Sequence, residues 1–169
     1  MTKNNLLLTG FMGVGKTTLG KLLAQRLNMG FVDTDQEIEK EYGPISCIFE
    51  NYGEPYFRDL EWKVAQKLVL QDNQVISTGG GFLINPKIRE LFKDYPVVVL
   101  WANPKDLKIR LSLAHNRRPL LENKRLSWQE IFQNRKNFYL SFSHHLDTSG
   151  KSIEEALFDL EKLWKAIIQ

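Results

Sequence analysis

The chain has 169 residues, 43% hydrophobic and 25% charged, with a formal net charge of +3. That length suits one domain with a sizeable core, and the charge is too small and too evenly spread to imply a nucleic-acid partner. The single cysteine, Cys47, excludes an internal disulfide and fits a reducing compartment, with a buried or half-buried thiol as its expected state.

The apolar run Leu6–Thr9 reads as a short buried strand, and "GFMGVGKT" follows as a loop. It is too short for a signal peptide, and no later segment nears the roughly 18 apolar residues of a membrane span; a cytoplasmic protein is expected. Thr17–Asn28 reads as a helix with Leu19, Leu22, Leu23 and Leu27 on one face, closed by Gly30. Phe31–Asp33 is a second strand and Gln36–Tyr42 a helix that stops at Gly43. The junction "FVDTDQEI" has two readings. It is a strand-to-helix turn, with Thr34 and Glu37 as a capping box or Asp35 as N-cap, or its two carboxylates hold something.

Ser46–Tyr52 reads as a short helix ending at Gly53, and Glu54–Gln71 as a longer one with Phe57, Leu60, Val64 and Leu68 on one face. Gln74–Thr78 is a strand running into Gly79, Gly80 and Gly81. Asn85–Pro86 caps a helix to about Lys93, Val97–Trp101 is the clearest buried strand, and Asn103–Pro104 starts a helix to Leu113. "AHNRRPLLENKR", residues 114–125, is polar and basic and reads as a loop. Ser127 with Glu130, and Ser152 with Glu155, are capping boxes of two further helices, with a short strand near Leu146–Thr148 between them.

Strands alternating with helices predict a three-layer α/β/α fold around a parallel sheet of about five strands, with ligands at the C-terminal strand ends. The loops there are "GFMGVGKT", "DTD" and "TGGG". The first, Gly10-x-x-x-x-Gly15-Lys16-Thr17, matches the P-loop pattern between a strand and a helix. Gly10, Gly13 and Gly15 let the backbone turn its N–H groups toward phosphate oxygens, and the helix N-terminus adds partial positive charge. The binding set is Gly13, Val14, Gly15, Lys16, Thr17 and Thr18. Lys16 reaches the β- and γ-phosphates, and the Thr17 hydroxyl ligates Mg²⁺. Such proteins usually take a second metal-side carboxylate from a buried strand, yet "VVVLWANP" and "QVIST" carry no acid. Asp33 and Asp35, on the same side of an extended segment, are the best-placed source.

The motifs "GFMGVGKTTLG", "FVDTDQEIE", "IFENYGEPYFRDLE", "STGGG", "RRPLL" and "RKNFY" together resemble shikimate kinases, small P-loop kinases, over nearly the whole chain. The resemblance implies a P-loop kinase fold, a substrate-binding segment over about 33–61 and a mobile lid over about 114–125. It implies transfer from ATP to the 3-hydroxyl of shikimate, with Mg²⁺, in a cytoplasmic monomer. Catalysis then falls to Lys16, Asp35 and Arg118. Shikimate is bound by Asp35, Arg58, Gly79, Gly80, Gly81 and Arg135, the glycines through backbone N–H groups and the arginines through the substrate carboxylate. Phe49 and Phe57 match aromatic pocket positions, though plain core would also explain them. Asp33 serves the metal through water. Arg118, beside Arg117, acts from the lid. Arg110 matches an adenine-stacking position, or is a solvated helix residue. Arg58 and Glu61, three apart, form a pair that fixes the guanidinium or merely decorates a surface. The family's Arg-x-Pro-Leu-Tyr reads here Arg135-Lys136-Asn137-Phe138-Tyr139, without the proline. A kinase for another polyol acid, such as gluconate, and a nucleotide-binding regulator are the rival readings. His115, His144 and His145 lack metal-site spacing.

Overall fold

Strands and helices alternate along the chain, and every pair of neighbouring strands runs parallel. The computed structural model describes residues 4–113 and 127–169. Strands β1 (Leu6–Gly10), β2 (Gly30–Asp33), β3 (Gln74–Ser77), β4 (Val97–Trp101) and β5 (His144–Asp147) form one sheet in the order β2-β3-β1-β4-β5. The parallel α/β expectation therefore holds, and β5 starts earlier than expected, taking in both His144 and His145. The lid expected over 114–125, with Arg117 and Arg118, lies outside the described residues.

The helices are α1 (Lys16–Leu27), α2 (Thr34–Tyr42), α3 (Ile45–Leu68), α4 (Pro86–Leu91), α5 (Pro104–Leu113), α6 (Trp128–Leu140) and α7 (Ile153–Ile167). Side-chain alternation along β1 sorts them into two layers. Leu6 and Leu8 pack with α1, α5, α6 and α7 on one face, and Leu7 packs with α2, α3 and α4 on the other. A strand covered on both sides must be apolar throughout, and all of β1 is buried. Both serine capping boxes form as expected, Ser127 with Glu130 and Ser152 with Glu155. Among the described residues no helix is long and apolar enough to cross a membrane.

Four local expectations change. Asn28, not Gly30, closes α1: it adopts φ 51° and its N–H returns to the carbonyls of Ala24 and Gln25. Asparagine tolerates that conformation because its short polar side chain bonds locally. The cap of α2 is Asp33, whose Oδ1 accepts from the N–H groups of Asp35 and Gln36 at 3.0 and 3.2 Å. Thr34 and Asp35 are thus inside the first turn and do not cap it. The two expected helices over 46–71 join into α3, bent at Gly53 (φ 78°, ψ 175°). Pro55 follows the bend, where a missing N–H costs little. Cys47 is exposed.

Candidate active site

The turn between β1 and α1 is built by close approach. A Cβ on Gly10, at φ 136°, would meet the Leu100 carbonyl oxygen of β4 at 2.2 Å, so only glycine fits. Gly13 and Gly15 also hold positive φ, at 83° and 98°. The loop wraps back over Lys16, whose Nζ donates to the carbonyls of Gly10 and Phe11 at 2.8 and 2.9 Å. Arg110 is neither solvated nor loose. Its guanidinium donates to Gly13 O at 3.3 Å and to the hydroxyl and carbonyl of Thr148 at 3.0 and 2.9 Å, tying α5 to the loop.

Beside this loop the two acids part company. Thr17 Oγ1 donates to Asp33 Oδ2 at 2.6 Å, while Asp33 Oδ1 caps α2. Asp35 lies in the first turn of α2, so the reasoning from an extended segment fails, yet the turn still brings it to the cleft. Its Oδ1 is buried without a hydrogen-bond partner. Burial pushes its carboxyl up to about 7, helped by the Asp33 and Glu61 carboxylates and opposed by Lys16.

The glycine segment comes next to it. A Cβ on Gly79 would meet Asp35 Oδ1 at 2.7 Å, one on Gly80 would meet Arg135 Nη1 at 3.0 Å, and one on Gly81 would meet Arg58 Nη1 at 2.8 Å. The three glycines thus make room for three protein side chains. The Gly79 N–H is already engaged, donating to Thr34 Oγ1 at 2.9 Å. Arg58 donates to Glu61 Oε2 at 2.7 Å and to Glu54 Oε1 at 2.8 and 3.2 Å. Glu61 is 1% exposed and Arg58 25%, so a buried carboxylate meets a partly buried guanidinium and the pair is not a surface one. Burial raises its carboxyl, Arg58 and Arg135 oppose that, and Oε1 is left without a hydrogen-bond partner. Phe49 and Phe57 pack ring to ring at 4.9 Å, lining the same space.

One cavity of about 1090 Å³ collects most of these residues. Gly13, Val14, Gly15, Lys16, Thr17, Thr18 and Arg110 line it together with Asp33, Asp35, Arg58, Arg135 and the three glycines. Arg118 lies outside the described residues. Four supporting residues have no site role in the motif reading: Thr34, Glu54, Tyr139 and Thr148. A glutamate four before Arg58 was the available signal for Glu54.

A phosphate loop, a recessed carboxylate and a two-arginine pocket in one cavity narrow the class to a kinase with an anionic acceptor. The family model for shikimate kinase matches residues 12–165. The chain belongs to the shikimate kinase family. A shikimate kinase of Persephonella marina is 41% identical over 149 residues, covering 88% of this chain and 91% of that protein. The crystal structure of shikimate kinase from Bacteroides thetaiotaomicron superposes with a TM-score of 0.83 at 31% identity, covering 96% of this chain and 98% of that one. That of Acinetobacter baumannii shikimate kinase in complex with shikimate gives 0.80 at 34% identity, covering 99% and 93%. As a shikimate kinase the chain transfers the terminal phosphoryl group of ATP to the 3-hydroxyl of shikimate, releasing shikimate 3-phosphate and ADP within aromatic amino-acid biosynthesis.

Proposed function

We propose that Asp35 receives the reacting hydroxyl of shikimate, Arg58 and Arg135 hold its carboxylate, and residues 13–18 hold the phosphates of ATP. The observation that carries this reading is the buried Asp35 Oδ1, which lacks a partner in a cavity it shares with the phosphate loop. An orphaned buried acceptor is costly unless a ligand donor meets it. Glu61 Oε1 is a second such acceptor on the same cavity, and a ligand with several hydroxyls satisfies both.

Asp35 orients the 3-hydroxyl and takes its proton as the new O–P bond forms and the bond to ADP breaks. A carboxyl poised near neutrality suits that task. Lys16, and Arg118 from the lid, neutralise charge on the transferring group. The Thr17 hydroxyl and the Asp33 carboxylate are hard oxygen donors 2.6 Å apart, which suits Mg²⁺ with part of its water shell retained. Thr17 and, through water, Asp33 would hold the ion, which would offset negative charge on the phosphates. The unpaired cysteine supports a cytoplasmic setting.

ADP release tests the assignment. Turnover is expected with ATP, Mg²⁺ and shikimate together, and to be lost with a chelator. Turnover with gluconate in place of shikimate, with no acceptor, or in the presence of chelator overturns it. Arg58→Ala is expected to raise KM for shikimate at least about tenfold, roughly 1.4 kcal/mol, with KM for ATP unchanged. It also leaves Glu61 buried without its arginine, at a cost of about 3 kcal/mol in stability. Adding Glu61→Gln should restore stability in urea titrations but not KM; a restored KM would take Arg58 out of the pocket.

A further inference from the structure

Two buried hydroxyls grip the glycine segment, and neither belongs to the cavity lining. Thr34, 0% exposed, accepts the Gly79 N–H at 2.9 Å. Tyr139, also 0% exposed, donates its phenol to Gly80 O at 2.7 Å. The bonds bracket Gly79 and Gly80 from opposite sides. Thr34 sits between Asp33 and Asp35 at the start of α2. Tyr139 lies four residues after Arg135 on α6, so the two share a helix face, and the Arg135 charge opposes the rise that burial gives the phenol's pKa.

A glycine pair has no side chains to pack and the most permissive kind of backbone; besides the two hydroxyls, the Phe82 N–H donates to Gly79 O at 3.0 Å. Yet Asp35 Oδ1 and Arg135 Nη1 rest against these glycines, at 2.7 and 3.0 Å from the positions a Cβ would take. The backbone here is therefore the spacer between the group proposed to meet the 3-hydroxyl and a group proposed to meet the carboxylate.

We infer that Thr34 and Tyr139 are positioning residues, a pair of buried hydroxyls that fix Gly79 and Gly80 and through them the separation of Asp35 from Arg135. The inference rests on the acceptor reading above. It assigns both residues to shikimate recognition, with no part in ATP binding. It also accounts for the tyrosine of the "RKNFY" segment: the phenol anchors α6 to the glycines where Asn137 replaces a proline.

The test uses Thr34→Val, Thr34→Ser and Tyr139→Phe in the full chain, with KM for both substrates, kcat, and amide exchange at Gly79 measured without ligand. Thr34→Val and Tyr139→Phe should each raise KM for shikimate about tenfold, the equivalent of one ordinary hydrogen bond, with KM for ATP within about twofold. Thr34→Ser, which keeps the acceptor oxygen, should stay near wild type. The double variant should fall short of the product of the singles, because both bonds hold one segment. Gly79 exchange should quicken in Thr34→Val and not in Thr34→Ser. Tyr139→Phe keeps its ring, so it carries the kinetic test should Thr34→Val fail to fold. An unchanged KM for shikimate, or equal rises in both KM values with a serine variant as poor as valine, overturns the proposal. Failure of the acceptor reading looks different: Arg58→Ala would leave KM for shikimate unchanged while Gly79 exchange still quickened in Thr34→Val, and the kinetic half of the proposal would fall with it.

Discussion

Asp35→Asn is expected to lower kcat about 10²- to 10⁴-fold, the range that one positioned acid or base supplies, while ATP binds as before. Asparagine has the size of aspartate, so the cavity wall beside Gly79 is preserved. Its amide cannot take a proton from the acceptor hydroxyl. The nucleotide phosphates are proposed to bind residues 13–18 and not Asp35, so nucleotide titration should give the wild-type affinity; a lost affinity would move Asp35 to the nucleotide side. The same substitution should stabilise the ligand-free protein. Burial, with Asp33 and Glu61, holds the Asp35 carboxyl up at about 7, against an ordinary value of 3.8. Between those values the folded chain keeps a proton that the unfolded chain releases. Stability from this group is complete below the lower value and is lost as pH rises through the upper one, by at most about 1.4 kcal/mol per unit. Denaturant titrations across that window should therefore slope downward in wild type and less so in Asp35→Asn. Equal slopes would show that the carboxyl is not raised.

Lys16→Met is the second substitution with a large expected effect: kcat/KM falls by about 10²–10³, the cost of removing one preorganised charge from a developing anion. Methionine keeps the apolar stem and loses the ammonium. Before nucleotide arrives, that ammonium is already over the loop, donating to Gly10 O and Phe11 O. It stands at the first residue of α1, where the helix dipole disfavours a cation. Loss of the two bonds outweighs relief from the dipole, so thermal unfolding of the ligand-free variant should come below wild type. Turnover within tenfold of wild type would remove Lys16 from the charge-stabilising role.

Local chemistry was legible in the sequence, and partnership across the sheet was not. The phosphate loop, the serine capping boxes and the Asn–Pro helix starts each lie within a few residues, and the structure has them nearly where the pattern puts them. Arg58 with Glu61 was readable for the same reason. Thr34 was assigned to a cap because Glu37 stood three residues on. Its partner is instead Gly79, 45 residues away, which no local pattern announces. The glycine triplet was read as room for a ligand, and the structure shows room for Asp35, Arg135 and Arg58. A sequence can show that backbone approaches something closely; what approaches depends on which strands are neighbours. β3 lies beside both β1 and β2, and that adjacency brings "TGGG" against "DTD".

Asp33 has both oxygens committed, one to the cap of α2 and one to Thr17. This sets what drift the position can survive. As a cap alone it could exchange with asparagine, serine or threonine at little cost to folding. None of those offers a second, charged oxygen to Thr17. Descendants carrying them would fold and pass any check on abundance while losing the carboxylate proposed to serve the metal. Selection at this position therefore acts through chemistry alone, and inactive yet well-folded copies are the form in which its loss would first appear in a population.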